Sequence, residues 1–309
     1  MTLILALGNR DFVIHVADRR LTRGSQVHDD DSSKGGVFTC DDAQMLFGFS
    51  GLASLPEGTT QRWLLSNLVE CAGPDFTAGA CIQRLTQRLS ELFASPDLLG
   101  IPGPDRRLTV MLTGYLYRYA PPLLIQALIT NFQDYDAKVD SEGPWRDFRV
   151  RYLNEQLEPR LQNPTLIQRI GQWHLLPEPL LKRHRQLLER RASPRALVSR
   201  SVALMRHMAD HPAARGTVGK SIYSIILPAV HNAIPQGGYH VLENKPHYFW
   251  PDQALALSQG MQIAISDMGI KQLGKDGQPG VLTTPQVPKH HPCPCGSGRR
   301  YRDCHGRQP

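Results

Sequence analysis

The order of elements along the chain predicts an α+β fold, with helix layers around two sheets. Three observations carry this. Residues 2–51 alternate strand-like runs with tight turns. Apolar residues then switch to helical spacing up to about residue 94, return to strand-like runs over 107–132, and become helical again from about 179 to 209.

The first strand is TLILALG, followed by the turn NRD and a second strand, FVIHVAD. This hairpin brings Asp18 back beside Thr2. Alternation puts Phe12, Ile14, Val16 and Asp18 on one face and Val13, His15 and Ala17 on the other. GSQVHDDDSSK, residues 24–34, is a polar loop. Its aspartates 29–31 form an acidic run that is more often a solvated turn than a cation site. Lys34 precedes the short strand GGVFTC, and AQMLFGFSG follows the turn pair Asp41-Asp42.

Trp63, Leu64, Leu65, Leu68 and Val69 mark a helix, with Ser54 as a candidate N-cap. A second helix runs from about Thr77 to Ala94 and stops before Pro96. RRLTVMLTGYLYRY and PPLLIQALITNF are two strands joined near Tyr119. Residues 131–176 read as an insertion. The helical segment that follows breaks near Ser193-Pro194, and its exposed residues are strongly basic. A solvated face is the commoner explanation for such charge, because no aromatic residues interleave it for base stacking. SIYSIILPAV is a strand, IPQGGYHV a turn into another, and 251–265 reads as a final short helix.

Composition bounds the function. The chain has 309 residues, 41% of them hydrophobic, which suits one large domain and a small one. No run of eighteen apolar residues exists to span a membrane, and no charged n-region with an apolar stretch marks a secretory signal. Three of the six cysteines cluster near residue 300 and three are scattered. That pattern points to a metal site in a reducing, cytoplasmic compartment, not a disulfide framework. The net charge of +7 permits acidic partners.

Thr2 follows Met1, and trimming of Met1 would leave Thr2 as a free N-terminus. A terminal Thr carries a hydroxyl nucleophile and its own base, an α-amine titrating at about 7.7–8.0. A nearby Lys lowers the cost of the alkoxide, and Asp18 would keep Lys34 charged and aimed. The Gly48 N–H, at a strand end, would face a tetrahedral oxyanion.

Thr2, Asp18 within Asp18-Arg19-Arg20-Leu21-Thr22, Lys34, and Gly48 within Gly48-Phe49-Ser50-Gly51 resemble the proteasome β-subunit family of N-terminal nucleophile hydrolases. The resemblance is clear over residues 2 to about 70 and thins in the middle. It implies a four-layer αββα sandwich in which Thr2, Asp18, Lys34 and Gly48 are catalytic. The family's substrate-lining positions fall on Leu21, Thr22, Leu46 and Ser50. Asp210 and Thr217 match a supporting Asp and Ser more loosely. The family's Ser near the nucleophile corresponds to Arg169, so that hydroxyl is missing. The implied substrate is a peptide or amide. Family members form rings, so a homo-oligomer is among the implied assemblies.

Gly269 to Pro292 shifts to Gly, Pro, Lys and Thr and reads as a linker. The tail HPCPCGSGRRYRDCHG then places Cys293, Cys295, Cys304 and His305 as a tetrahedral zinc set. It resembles the SEC-C motif, the zinc knuckle of the bacterial protein-translocation ATPase, where the motif contacts a chaperone. The resemblance implies one structural zinc ion and a protein partner at the knuckle.

The sequence therefore predicts a proteasome-like hydrolase domain at 1–268, a linker at 269–291 and a SEC-C zinc motif at 292–309. The activity expected is that of a threonine amidohydrolase or peptidase. The alternative is an inactive proteasome-fold scaffold that binds through its zinc knuckle. Neither a membrane nor nucleic acid is the expected partner.

Overall fold

The computed structural model describes residues 2–23, 26–133, 144–152, 164–240, 247–266, 269–273, 279–282 and Arg300. Within these it is a mixed α+β structure. The first hairpin forms as its alternation requires: β1 (Leu3–Gly8) pairs with β2 (Phe12–Asp18), with Ile4 opposite Ala17. Asn9 closes the turn by accepting from the Asp11 and Phe12 amides at 2.8 and 3.1 Å. Around this hairpin a six-stranded sheet runs β12 (Leu166–Gly171), β1, β2, β13 (Ile222–Pro228), β14 (Gln236–His240), β15 (His247–Phe249).

The second sheet has nine strands. Its order is β11 (Arg149–Tyr152), β10 (Leu123–Thr130), β9 (Leu108–Leu116), β6 (Ala43–Gly51), β5 (Gly35–Cys40), β16 (Gln253–Leu257), β17 (Met261–Ser266), β18 (Gly269–Leu273), β19 (Pro279–Leu282). Neighbours in both sheets are antiparallel except β5 and β16, which run parallel. Two small ribbons, β3 (Leu21–Arg23) with β4 (Gln26–Asp29) and β7 (Ser54–Leu55) with β8 (Gly58–Thr59), stand apart from the sheets.

Three apolar cores set the layers. Met45, Phe47 and Phe49 of β6 face α1 (Thr60–Ala72) and α2 (Ala78–Phe93), packing on Leu64, Leu68, Ile82 and Leu85. Ile4, Ala6, Val13 and Ala17 of the first sheet meet Val37, Leu46, Met111 and Tyr115 of the second. On the far side, Leu3, Leu5, Leu7, Ile14 and Val16 pack against α4 (Glu178–Glu189) and α5 (Pro194–Ala209) through Leu181, Leu188, Leu197 and Met205. A strand buried on both faces reads as continuous apolar sequence, as LILALG does. A single-turn helix, α3 (Pro96–Leu99), follows α2.

Several expectations change. The N-cap of α1 is Thr59, whose hydroxyl accepts from the Arg62 amide; Ser54 instead lies in β7. The stretch 251–265 is not a helix but the hairpin β16–β17, because β5 offers β16 an open edge to pair with. Within the stretch read as a linker, 269–273 and 279–282 form the strands β18 and β19, which extend the sheet beyond β17, with β19 at its edge. Aspartates 29–31 lie at the surface, and their carboxylates are engaged by the chain itself. Asp30 and Asp31 pair with Arg20 at 2.6 Å and Arg19 at 2.9 Å, and Asp29 accepts from the Asp31 amide and the Ser32 hydroxyl.

Candidate active site

Asp18 ends β2 beside the start of β1, and four donors converge on its carboxylate. Oδ1 accepts from the Leu3 N–H at 2.7 Å. Oδ2 accepts from the amides of Arg20 and Gly219 at 3.1 and 3.2 Å and from Lys34 Nζ at 3.1 Å. Lys34 also donates to the Arg20 carbonyl. Both side chains of the ion pair are fully buried. Burial lowers the Lys34 pKa, and the charge and hydrogen bond of Asp18 oppose that shift. Burial outweighs that opposition, so the net shift is downward, and Asp18 links the buried amine to the residue after Thr2 through the Leu3 amide.

Thr2 itself is only 4% exposed. Its carbonyl accepts the Gln172 amide at 2.8 Å and the Ser50 hydroxyl at 3.5 Å. β12 ends against it at Gly171, where φ is +81° and an added Cβ would lie 1.7 Å from the Thr2 carbonyl oxygen. Only glycine fits there. The Gln172 side chain continues to the Thr217 hydroxyl at 3.2 Å, which donates to the Ala214 carbonyl at 2.6 Å.

The expected site residues therefore divide. Thr2, Asp18, Lys34 and Ser50 share one cluster, and Thr217 joins it through Gln172. Asp210 does not: it caps the end of α5 and pairs with Lys220 at 2.6 Å on the surface. Leu21 and Thr22 lie half-buried on β3. Leu46 has no exposed surface and belongs to the core between the sheets, so it cannot touch a substrate in this conformation. Arg169 turns away to the Leu176 carbonyl and to Glu178.

Gly48 also differs from expectation. β6 continues to Gly51, so Gly48 is no strand end; it sits between Gly35 of β5 and Met111 of β9. The Phe49 amide donates to Lys34 on the β5 side, and the Leu52 amide to Arg107 on the β9 side. Successive amides in a strand alternate sides, so the Gly48 N–H faces Met111 and is taken up by the sheet ladder.

Gly171, Gln172 and Gly219 fall in the segments Ile170–Trp173 and Gly216–Gly219, which resemble family segments near the nucleophile, but they were not among the expected site residues; their meeting with Thr2 and Asp18 depends on strand register. Sequence reasoning also missed His15 as a group behind the site. His15 is fully buried, 3.5 Å from where a Gly48 Cβ would stand, with neither ring nitrogen in a hydrogen bond of normal geometry. Burial lowers its pKa to about 3.

Among the described residues no three His, Cys, Asp or Glu side chains cluster to hold a metal. The expected zinc ligands Cys293, Cys295, Cys304 and His305 lie outside the described residues. No described helix is long and apolar enough to cross a membrane.

Comparison with known proteins gives two kinds of similarity. The protein translocase subunit SecA of Herminiimonas arsenicoxydans is 60% identical over 30 residues, 10% of this chain and 3% of that protein. SecA of Xylella fastidiosa (strain 9a5c) is 40% identical over 55 residues, 18% of this chain and 5% of that protein. The chain thus spans a small fraction of the length of these relatives. Among solved structures, Anbu (ancestral beta-subunit) from Yersinia bercovieri aligns with a TM-score of 0.42 and 12% identity, over 73% of this chain and 81% of that one. Residues 292–307 match the SEC-C motif. The chain therefore carries at those residues a segment of the zinc-binding SEC-C type.

Proposed function

We propose that this chain is an N-terminal threonine hydrolase of the proteasome-like type, acting on a peptide or amide. The observation that carries the reading is the Asp18 carboxylate, which holds the Leu3 amide and the buried Lys34 ammonium together at the start of β1. After loss of Met1, the Thr2 amine would take the hydroxyl proton as Oγ attacks the carbonyl carbon. The same proton then passes to the leaving amine, and water cleaves the resulting ester. Lys34 stabilises the developing alkoxide, and Asp18 keeps it charged. The Gly48 amide would serve the oxyanion only if β6 parted from β9 at Met111. The SEC-C segment supplies three thiolates and an imidazole from Cys293, Cys295, Cys304 and His305. That donor set fits one structural zinc ion with no open position. Zinc would order the knuckle for a protein partner. A reducing, cytoplasmic setting suits it, as it suits the buried free thiols of Cys40, Cys71 and Cys81.

Two observations favour a second reading, a non-catalytic scaffold working through its knuckle. Thr2 is almost closed off, and the Gly48 amide is committed to the ladder. Intact mass after exposure to an N-terminal-threonine-directed electrophile separates the two. A hydrolase loses Met1 and gains one adduct that Thr2→Ala abolishes. A chain that keeps Met1 and stays unlabelled overturns the hydrolase and leaves the scaffold.

A further inference from the structure

The net charge of the chain sits in one place. In all, 35 Lys and Arg stand against 28 Asp and Glu, a net +7. Residues 178–220 alone carry ten against three, also +7, and the remainder balances at 25 each. This stretch holds α4 and α5, which form one outer layer on the first sheet. Their apolar stripes are spent on the sheet. Leu180, 39% exposed, is the one large apolar side chain that the two helices leave at the surface. What faces outward is basic. Arg185, Arg191 and Lys220 are neutralised by Glu178, Asp11 and Asp210. Lys182, Arg183, Arg190 and Arg200 are exposed and pair with no carboxylate among the described residues.

We propose that the outer face of α4 and α5 binds the phosphate backbone of duplex nucleic acid, without reading its sequence. Phosphate contacts need cationic side chains at the surface and little else. A protein partner would instead look for exposed aromatic or large apolar anchors, of which these two helices offer only Leu180. Arginine predominates, and its fork suits phosphate oxygens. The absence of stacking aromatics argues against single strands and base readout, and leaves backbone contact intact. Arg183 in α4 and Arg190 at its C-cap lie seven residues apart, about 10 Å along the helix direction.

The test is fluorescence anisotropy of a labelled duplex of roughly 20 bp with the full chain, at salt from about 50 to 200 mM. Four phosphate contacts predict a log–log salt slope of about −3.6, a loss of roughly 150-fold in affinity across that range. Combined Lys182→Gln, Arg183→Gln, Arg190→Gln and Arg200→Gln, with the fold checked by circular dichroism, should abolish binding. Four Gln substitutions at Arg299, Arg300, Arg302 and Arg307 should leave the slope unchanged. The proposal falls if the wild type ignores the duplex, if the helix variant binds it equally, or if the tail variant alone loses binding. It falls too if poly-glutamate binds as tightly as the duplex, which would assign the face to an acidic protein segment.

Discussion

Lys34 Nζ stands 3.1 Å from Asp18 Oδ2, and neither side chain reaches solvent. Removing either partner strands the other, but the two losses are unequal. Asp18→Ala leaves a buried ammonium and three amides without their acceptor, and should cost about 3–5 kcal/mol. Lys34→Met leaves the carboxylate its three N–H donors and should cost less. Urea unfolding of the two variants gives the comparison; equal costs would mean that the amides contribute little to holding Asp18.

Thr2→Ala removes one hydroxyl and little packing, so it should abolish hydrolysis while leaving the melting temperature nearly unchanged. Lys34→Met should be nearly as damaging to turnover. Equal turnover by wild type and Thr2→Ala on an amide substrate would remove Thr2 from the mechanism.

Gly171→Ala tests how Thr2 is held. Its φ of +81° and the 1.7 Å approach of the Thr2 carbonyl leave no room for a methyl group. The substitution should destabilise by about 1–3 kcal/mol from the backbone strain alone. It should also displace the first residues of β1, which amide hydrogen exchange at Leu3 would report as lost protection.

Acid should weaken the fold in a defined window. His15 and His184 are lowered from 6.5 to about 3 and about 4 by burial. Above pH 6.5 both are neutral in either state and the stability is fully present. Below it, the unfolded chain binds protons that the folded chain refuses. Each histidine then subtracts about 1.4 kcal/mol per pH unit until its folded pKa is reached. Urea unfolding from pH 7 to 4 should show this slope, and His15→Leu should make it shallower. An unchanged slope in that variant would mean that His15 finds a way to take up its proton.

Chelation should release zinc from Cys293, Cys295, Cys304 and His305 and unfold a segment too short to fold on a core of its own. The main thermal transition should not move, and Cys293→Ser should weaken or abolish zinc binding by metal analysis. A main transition lost with the metal would mean that the two parts are not independent.

What could be read from the sequence was local. The β1–β2 hairpin followed from period-two alternation and Asn9. The ends of α2 were marked by Thr77, its observed N-cap, and by Ala94 before Pro96. The break at Ser193-Pro194 also holds, with Ser193 capping α5 and Pro194 at its first turn. What failed was decided at a distance. QALAL is made of good helix formers, and the open edge of β5 turns it into a strand that the isoleucines of MQIAIS then pair with. In the site, Asp18 and Lys34 meet in a buried ion pair. Gly171 and Gln172 reach Thr2 only through the β1–β12 register, which ties residues 3–8 to 166–171. Asp210 was placed by its motif, yet in space its carboxylate belongs to Lys220.

The parallel pairing of β5 with β16 also has a temporal side. Val37 and Cys40 must wait for Gln253 and Ala256 to leave the ribosome, about 200 residues later. At typical rates of synthesis that is roughly 10–40 s during which GGVFTC is a bare, uncharged strand edge. The segment that follows Lys34 thus leaves the ribosome with an edge open to unwanted pairing until β16 arrives and seals it, as does β2 until β13 arrives.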